Sequence, residues 1–279
     1  MDSVTIVGTG LIGASIGLAL REAGFAGPII GIDASGDELQ AALASGAIDS
    51  AARTPELHRA ALDCSDVILL AVPVLAIQHW MQQIAPHLRA DQLVTDTGST
   101  KAQIAALAQT IMPANFLPGH PMAGKESGGA ALAEASLFHG ATWLFTPLHT
   151  FTPIEMSWRA WVERFGAHVL DMEPAHHDDL CAWVSHLPQL VSTAMSALLE
   201  DQFGDNAELR AIGGRALREM TRLGASPYSM WRDVAHTNEA PVAATLLALE
   251  QRLQHMRENL HTHALRDEFT RANQFRKRL

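Results

Sequence analysis

The sequence predicts an α/β protein, with a doubly wound parallel sheet in its N-terminal part and an all-helical domain after it. Strand-like and helix-like segments alternate up to about residue 173, which is the pattern of a parallel sheet covered by helices. After Pro174 we find no convincing strand pattern, and the periodicity predicts long helices, at 176–203, 206–222, 227–237 and 240–272. The expected domains are therefore residues 1–173 and residues 174–279.

A glycine-rich turn follows the first predicted strand, Val4 to Val7. Its first glycine would permit the bend, its second would let a pyrophosphate approach the backbone, and its third would bring the next helix close to the strand. The helix N-terminus would offer its unpaired N–H groups to the phosphates. A second strand ends on an acid, at the distance where an acid binds the ribose hydroxyls. These features predict a dinucleotide site formed by Gly8, Thr9, Gly10, Leu11, Ile12, Gly13 and Asp33.

The acid at the end of the second strand also favours one cofactor. Asp33 would repel a 2′-phosphate, and no Arg or Lys follows it until Arg53. We therefore expect NAD rather than NADP. Further along, a continuous apolar run closed by Pro73 predicts a strand buried on both faces, so Val72 and Pro73 should border the cofactor at the carboxyl edge of the sheet.

Composition limits the partners and the compartment. The net charge of −10 over 279 residues disfavours nucleic acids and anionic membranes as partners. The longest apolar run is too short to cross a bilayer, and a strand that starts at residue 4 leaves no room for a signal peptide. Cys64 and Cys181 are expected to be buried thiols in a reducing compartment, so we predict the cytoplasm.

Two segments at predicted strand ends carry groups suited to catalysis. Ser99 follows the strand at 92–96, and His120 stands between Gly119 and Pro121 after the next strand. Because histidine titrates near neutral pH, a histidine held in this way could transfer a proton. The alternatives are that Ser99 caps the following helix and that His120 is a structural loop histidine.

The helical part supplies further candidates and a prediction of assembly. Arg215, Arg218 and Arg222 would fall on one helix face and could bind carboxylates, although such a run is commonly a solvated surface. Trp231 could add an aromatic wall, and His186 could equally be a core residue. Wide apolar helix faces predict a homodimer.

One polar string in this part invites a metal hypothesis, His176-His177-Asp178-Asp179. Adjacent residues on a helix do not share a face, so we predict no metal.

Five segments occur here in the order in which one enzyme family carries them. They are Gly8 to Gly13, Asp96-Thr-Gly-Ser-Thr-Lys101, Gly119-His-Pro-Met-Ala-Gly-Lys-Glu126, Ser185-His-Leu-Pro188, and Thr221-Arg222 followed by Met230-Trp-Arg-Asp233. Over nearly its whole length the chain resembles the prephenate dehydrogenases, a family that includes the arogenate and cyclohexadienyl dehydrogenases of tyrosine biosynthesis. The resemblance implies a Rossmann domain, a helical dimerisation domain, and the NAD-dependent oxidative decarboxylation of prephenate to 4-hydroxyphenylpyruvate and CO2.

The same resemblance implies roles for individual residues. His120 would hydrogen-bond the ring hydroxyl of the substrate, and Ser99 would orient both His120 and the substrate. Arg222 would bind a carboxylate of the dianionic substrate, with His186 beside it, and Glu126 would border the same pocket. Lys125 departs from the family pattern, in which a small polar residue is common there. This cation could favour the keto acid of prephenate, or it could merely pair with Glu126.

Other functions stay open on the sequence alone. The first is an arogenate or dual cyclohexadienyl dehydrogenase. The second is a β-hydroxyacid dehydrogenase or imine reductase, which would favour a catalytic Lys or Asp on the long helix, where this chain has His186. The third is a protein that binds NAD without catalysis.

Overall fold

The computed structural model describes residues 1–125 and 127–278. Its first strands form one parallel sheet: β1 Val4–Val7, β2 Ile29–Ile32, β3 Ser50–Ala51, β4 Val67–Leu70, β5 Leu93–Asp96 and β6 Phe116–Leu117. The strands lie in the order β3-β2-β1-β4-β5-β6, so the winding reverses between β1 and β4. Ligands of such sheets bind outside the carboxyl ends of the strands at this reversal. The predicted doubly wound α/β fold is confirmed.

Helices cover both faces of this sheet: α1 Leu11–Glu22, α2 Gly36–Ala44, α3 Pro55–Cys64, α4 Val74–Ile84 and α5 Ala102–Ile111. A sixth helix, α6 Pro153–Arg164, buries Trp158 and Val162 in the same apolar core as α1. Ser35, Thr54 and Thr152 begin α2, α3 and α6, because each hydroxyl accepts a hydrogen bond from a backbone N–H of the first turn. Successive residues of β1 face opposite sides, so Ile6 packs in one apolar core and Val7 in the other.

The last strands depart from the expected single sheet. A separate sheet contains β7 Gly119–Pro121, β8 Thr142–Phe145 and β9 His168–Asp171, with β7 antiparallel to β8. Only Pro118 separates β7 from β6, and a parallel pair needs a long crossover connection that this spacing does not allow. The sequence pattern of residues 130–138 predicts a helix, but the structure has only short 3-10 turns there, at Ala130–Leu132 and Ala135–Phe138.

From Pro174 the described chain is helical: α7 Pro174–Cys181, α8 Leu187–Phe203, α9 Ala207–Ile212, α10 Arg215–Thr221, α11 Tyr228–Thr237, α12 Glu239–Glu258 and α13 His263–Arg276. A widened π-helical turn, Ala182–His186, joins α7 to α8. Pro188 lacks an N–H and its ring would clash with a regular preceding turn, which explains the widening. The helix expected at 206–222 is interrupted at Gly213 and Gly214, and the one at 240–272 is interrupted between α12 and α13.

The surface of the helical part is unusually apolar. Many large side chains there are exposed, including Leu198, Phe203, Ile212, Leu247, Leu253, Leu260, Phe269 and Phe275. Among the described residues, no helix combines the length and the apolar character needed to cross a membrane. The expectation of two buried thiols was wrong for Cys64, which is exposed because it ends α3 at the surface, whereas Cys181 is buried.

Polar contacts join the two parts at the start of α5. The carboxylate of Asp178 accepts hydrogen bonds from the backbone N–H of Lys101 at 2.7 Å and of Ala102 at 2.9 Å. A negative group at this end of a helix is favoured by the helix dipole. Thr100 Oγ1 lies 2.7 Å from Thr237 Oγ1. The cap of α5 therefore comes from Asp178 of the helical part rather than from Ser99 or Thr100.

Candidate active site

A cleft of about 550 Å³ opens at the carboxyl edge of the main sheet, between the glycine-rich turn and the helical part. Its walls come from this turn, from the segments that follow β4, β5 and β7, from the π-helical turn, and from α11. The cleft brings together these residues singled out from the sequence: Gly10, Leu11, Ile12, Val72, Pro73, Ser99, His120, Lys125 and Trp231.

The glycine-rich turn leaves the N-terminus of α1 accessible. Gly8 has a φ of +91°, and a Cβ atom there would lie 2.3 Å from the carbonyl oxygen of Ala71. A Cβ atom at Gly13 would lie 1.9 Å from the carbonyl oxygen of Gly8. At Gly10, by contrast, no atom of the described chain lies within 4 Å of the position a Cβ would take. The turn is thus tight where the backbone packs and open where a diphosphate would approach.

Asp33 lies at the end of β2 with its carboxylate over this turn. Its Oδ2 accepts a hydrogen bond from the Thr9 backbone N–H at 2.7 Å, and its Oδ1 accepts one from Ser35 at 2.8 Å. Oδ2 also accepts from the Thr9 hydroxyl at 3.3 Å, so it is Oδ1 that keeps a further lone pair for a ribose hydroxyl. The exposed Arg53 approaches the same loop, since its Nη1 lies 3.9 Å from the position of a Cβ at Gly36. A guanidinium is therefore nearer to the ribose end than the sequence spacing suggests.

His120 lies on β7 at the base of the cleft and is 7% exposed. Its Nδ1 is 2.9 Å from His177 Nε2, and His177 Nδ1 is 2.8 Å from Asp178 Oδ1. A carboxylate only accepts hydrogen bonds, so His177 carries its proton on Nδ1 and accepts through Nε2. His120 then donates from Nδ1, which leaves the lone pair of its Nε2 for a ligand.

The surroundings keep His120 neutral. Burial lowers its pKa well below the usual 6.5, and the nearby His177, Lys101 and His186 lower it further because each disfavours a second positive charge. Burial also lowers the pKa of His177, but the hydrogen bond and the charge of Asp178 oppose that effect. At neutral pH the site therefore contains a neutral imidazole that can act as a base.

A buried ion pair holds the backbone next to His120. Lys101 and Asp96 are both fully buried and form a salt bridge. Lys101 Nζ also donates to the carbonyl oxygen of Gly119 at 2.8 Å, and Asp96 Oδ1 accepts from the Gly119 N–H at 3.1 Å. Both backbone polar groups of the residue before His120 are thus bound by this pair, which fixes the position of β7.

His186 and Trp231 pack together in the helical part, with ring centroids 5.9 Å apart, but of these two only Trp231 is among the described residues that line the cleft. Asn238 Nδ2 lies 3.2 Å from His186 Nδ1, so His186 accepts there and carries its proton on Nε2. Trp231 Nε1 is buried and has no hydrogen-bond partner among the described residues, whereas His186 Nε2 has only a weak contact with the Ser99 backbone. Burial lowers the pKa of His186 to about 4, against the opposing charge of Asp178 and with a smaller lowering from His177, and a hydrogen bond with the Ser99 backbone raises it only slightly, so its ring is neutral. Unpaired buried donors are costly unless a ligand accepts from them.

Other residues singled out from the sequence lie differently from what was expected. Ser99 lines the cleft, but within the described chain the hydrogen bond that orients His120 comes from His177. Lys125 also lines the cleft, yet its Nζ pairs with Glu134 at 3.1 Å and donates to the Leu132 carbonyl. The prediction for Glu126 lies outside the described residues.

The arginine stripe does not form one continuous helix face. Arg215 is exposed and pairs with Glu219, while Arg222 follows α10 in a 3-10 turn, Arg222–Ala225. Arg222 is exposed and is not among the described residues that line the cleft. Its role as a carboxylate ligand therefore stays a prediction.

The group around His120 has the ligand types of a metal site but hydrogen-bond geometry. Ligand atoms of His120, His177 and Cys181 lie within 4.8 Å of one another. Two nitrogen ligands at about 2.0–2.1 Å from a tetrahedral zinc would lie roughly 3.4 Å apart, which is longer than the 2.9 Å between the two rings. Burial raises the pKa of the Cys181 thiol to about 12, so it stays protonated. We interpret the group as hydrogen-bonded.

His177 and Asp178 are the residues that sequence reasoning did not assign to the site. The sequence suggests them only as metal ligands, and that hypothesis was rejected because adjacent residues on a helix do not share a face. Both side chains are buried, where α7 packs against α5 and β7. Their exposed neighbours, His176 and Asp179, show no such contacts. The available signal was the His-Asp pair itself, one turn before Cys181.

Comparison with known proteins places these features in one family. A family model described as "Prephenate dehydrogenase, nucleotide-binding domain" matches residues 16–170. A second, described as "Prephenate dehydrogenase, dimerization domain", matches residues 173–274. The chain belongs to the prephenate dehydrogenase family. A prephenate dehydrogenase of Bacillus subtilis (strain 168) is 30% identical over 244 residues, which are 85% of this chain. The chain spans only 64% of the length of that relative.

Solved structures of the prephenate dehydrogenase family have the same fold over the whole chain. Prephenate dehydrogenase from A. aeolicus, in complex with hydroxyphenyl propionate and NAD+, has a TM-score of 0.86 at 28% identity and covers 100% of this chain and 96% of its own. Synechocystis arogenate dehydrogenase has a TM-score of 0.78 at 28% identity, with 99% of each chain covered. Solved structures with this fold are therefore named for two different substrates.

Proposed function

We propose that this protein catalyses the NAD-dependent oxidative decarboxylation of prephenate to 4-hydroxyphenylpyruvate and CO2. The observation that carries the proposal is that His120, a buried neutral histidine, lines the same cleft as the dinucleotide turn, with its Nδ1 bound to His177 and the lone pair of its Nε2 left for a ligand. Oxidation of an alcohol by a nicotinamide needs a base at the hydroxyl, close to the hydride acceptor. The complex of the A. aeolicus relative, which holds NAD+ and a hydroxyphenyl acid, supports the same pair of ligands.

The geometry suggests how the residues would act. NAD, when bound, accepts the hydride from the ring carbon that bears the hydroxyl. As the hydride leaves, the hydroxyl becomes acidic and His120 Nε2 takes its proton. The ring carboxylate leaves as CO2, its bonding electrons make the ring aromatic, and His120 returns the proton to the phenolate oxygen. No net proton is consumed, so the main tasks of the protein are to position the substrate and to hold the hydroxyl proton on His120 until the phenolate oxygen takes it back.

The cofactor would lie along the carboxyl edge of the sheet. The open backbone at Gly10 and the N-terminus of α1 suit a diphosphate, and Asp33 suits the ribose hydroxyls. Leu11, Ile12, Val72 and Pro73 line the cleft and would border the rest of the molecule, while Gly8, Thr9 and Gly13 shape the turn. These residues form our proposed NAD site.

The substrate is a dianion, and the protein carries a net charge of −10, so local donors must hold the carboxylates. Trp231 lines the cleft and its Nε1 is a buried donor without a described partner, so it supports a carboxylate position in the helical wall, with His186 packed against its ring. We propose Arg222 as a further carboxylate ligand and Ser99 as a contact to the substrate. Arg222 is exposed and lies outside the described cleft lining, so its contact with the substrate belongs to the proposal and not to the observed geometry.

Arogenate is the second candidate substrate. The contacts of Lys125 with Glu134 and Leu132 occupy its ammonium group, so this lysine does not favour the keto acid of prephenate in the way its charge suggests. Prephenate stays our proposal because the matching family models and the Bacillus subtilis relative carry that name. Because the Synechocystis arogenate dehydrogenase has the same fold, both prephenate and arogenate should be tested.

We propose two units, residues 1–173 for the cofactor and residues 174–279 for substrate binding and dimerisation. The exposed apolar side chains of α8, α12 and α13 are of the kind that a second copy would bury, and the family model for residues 173–274 is described as a dimerization domain. A homodimer is therefore the proposed assembly. We also propose the cytoplasm as its location, because Cys64 and Cys181 are free thiols, as is usual in a reducing compartment.

The direct test of the proposed function is NADH formation by the purified protein with NAD and either prephenate or arogenate. We expect NADH and 4-hydroxyphenylpyruvate from prephenate. Turnover of arogenate alone would change the proposed substrate but keep the reaction. Absence of NADH with both substrates, in a protein that binds NAD, would overturn the proposed function.

The cofactor preference gives a second test. Asp33→Ser is expected to lower the ratio of kcat/KM for NAD to that for NADP by about tenfold or more, which corresponds to about 1.4 kcal/mol. The substitution removes the repulsion of a 2′-phosphate and leaves Arg53 beside the loop to attract it. Steady-state kinetics with both cofactors measure the ratio.

Two further variants control this cofactor experiment. Asp37→Ser, an exposed acid four positions along, should leave the ratio unchanged. Arg53→Ala in the Asp33→Ser background should remove the gain for NADP. An Asp33→Ser protein that still prefers NAD as strongly as the wild type would contradict the role of Asp33.

A further inference from the structure

Behind His120 lies a chain of three buried groups that ends on a carboxylate. The exposed fractions are 7% for His120, 0% for His177 and 3% for Asp178. The links are 2.9 Å between the two rings and 2.8 Å between His177 and Asp178. Asp178 is itself fixed by two backbone N–H groups at the start of α5. The hydrogen bonds in this series have one direction, from His120 through His177 to Asp178, because only the carboxylate of Asp178 can accept but not donate.

That direction assigns both ring tautomers. Asp178 Oδ1 accepts from His177 Nδ1, so His177 Nε2 carries a lone pair toward His120 Nδ1. The proton of neutral His120 must then lie on Nδ1, and the lone pair of its Nε2 faces the cleft. The opposite tautomer of His120 would place two lone pairs against each other at 2.9 Å. Asp178 therefore acts on His120 through His177.

We propose that His177 and Asp178 form a proton relay behind His120, in which His177 Nε2 accepts the Nδ1 proton of His120 as His120 Nε2 takes the hydroxyl proton of the substrate. The inference rests on the proposed function. Each transfer breaks one N–H or O–H bond and forms one N–H bond. His120 ends neutral with its proton on Nε2, and the positive charge lies on His177, in contact with the carboxylate of Asp178. The transfers reverse when the phenolate oxygen takes its proton back.

The surroundings favour a charge on His177 over one on His120. Lys101 opposes a positive charge on both rings, but His177 faces the carboxylate of Asp178 directly, whereas the charges that shift the pKa of His120 are those of His177, Lys101 and His186. The other groups packed around the two rings are Asp96, which favours a charge on His177, and the protonated thiol of Cys181, 3.6 Å from His177 Nε2. The protonated pair of rings therefore has a lower free energy with the positive charge on His177 than with the charge on His120.

His177→Gln separates a relay from a structural contact. A glutamine can place its amide oxygen near the position of His177 Nε2 and still accept from His120, but it cannot take a proton. We expect kcat to fall by about 10- to 100-fold, with the KM values for substrate and NAD within about threefold of wild type. Asp178→Asn should lower kcat in the same way and should have little further effect in the His177→Gln background.

The pH profile gives a readout that a structural role would not move. In the wild type, His120 and His177 titrate as a coupled pair. The fall of kcat/KM on the acid side reports the first proton that this pair binds, because that proton either occupies His120 Nε2 or makes it unavailable to the substrate. Removing the better proton acceptor leaves His120 alone, and burial, the largest cause of its low pKa, still holds that pKa below 6.5 although the effect of His177 is gone, so the acid limb should move to lower pH. The matched controls are His176→Gln and Asp179→Asn, the exposed neighbours, which should keep wild-type values.

A measurement on the resting protein separates this inference from the proposed function. Nitrogen-15 NMR of labelled histidine distinguishes the two ring tautomers, and the His120→Ala and His177→Gln proteins assign the signals. We expect Nδ1–H on both His120 and His177. A proton on Nε2 of His120 would overturn the relay even in an active enzyme, and so would a His177→Gln protein with wild-type kcat and pH profile. A wild-type protein with the expected tautomers but no turnover would overturn the proposed function instead.

Discussion

Replacing His120 by alanine should lower kcat by about a hundredfold or more while the protein still binds NAD. The neutral imidazole is the group placed to take the hydroxyl proton, and a positioned acid or base typically contributes about 10²- to 10⁴-fold to the rate. Because Nε2 meets the substrate mainly as the hydride leaves, kcat should fall more than KM rises. Steady-state kinetics with prephenate, together with NAD titration by protein fluorescence, measure both effects.

The matched control is His139→Ala, a histidine that follows a 3-10 turn and whose side chain is 53% exposed. It should retain wild-type kinetics. His120→Ala with near wild-type turnover would exclude His120 as the base. A variant that lost NAD binding as well would indicate a collapsed β7 rather than a missing base, and His120→Asn would then replace it, since an amide keeps the polar contact with His177.

The dinucleotide site could be predicted from the sequence because its signals are local. The bend at Gly8, the close packing at Gly13 and the open position at Gly10 each depend on the absence of one Cβ atom, and all three lie within one short turn. Asp33 follows at a fixed spacing because one helix separates β1 from β2. Backbone requirements of this kind can be recognised directly from the residue types in the sequence.

The groups behind His120 could not be predicted in this way. His177 lies 57 positions after His120, and only the packing of the helical part against β7 brings the rings together. The rule that adjacent helical residues do not share a face correctly describes an isolated helix. It fails as an argument here because His177 and Asp178 both lie in the buried contact between α7 and the sheet domain, where the carboxylate can meet both the ring and α5.

The second sheet was missed for a related reason. Residues 130–138 and β7 to β9 resemble the alternating pattern of the preceding chain, and periodicity alone does not tell which strands pair. The deciding features are the short link at Pro118 and the antiparallel pairing of β7 with β8. They turn His120 toward the helical part, so the site lies between two units rather than on the sheet edge alone.

Lys101→Met should lower the free energy of unfolding by about 3–5 kcal/mol. Lys101 and Asp96 are fully buried and paired, so removing the ammonium leaves an uncompensated carboxylate inside the protein. The backbone N–H groups of Gly98 and Gly119 still donate to Asp96, but the carbonyl of Gly119 loses its donor. Urea unfolding, with NAD absent, measures the change through the midpoint and the slope.

The control for Lys101→Met is Arg59→Met, which breaks a half-exposed ion pair with Asp63 on α3 and should change the free energy of unfolding by no more than about 0.5 kcal/mol.

The stability and the activity of Lys101→Met, measured together, also bear on the function of the protein. A β-hydroxyacid dehydrogenase would use a lysine on its substrate, and such a lysine could be removed with loss of activity and little loss of stability. Lys101 lies outside the described cleft lining, and its ammonium already binds Asp96 and Gly119. A Lys101→Met protein as stable as the wild type but inactive would therefore contradict the structural role of Lys101 and favour that other chemistry over a histidine base.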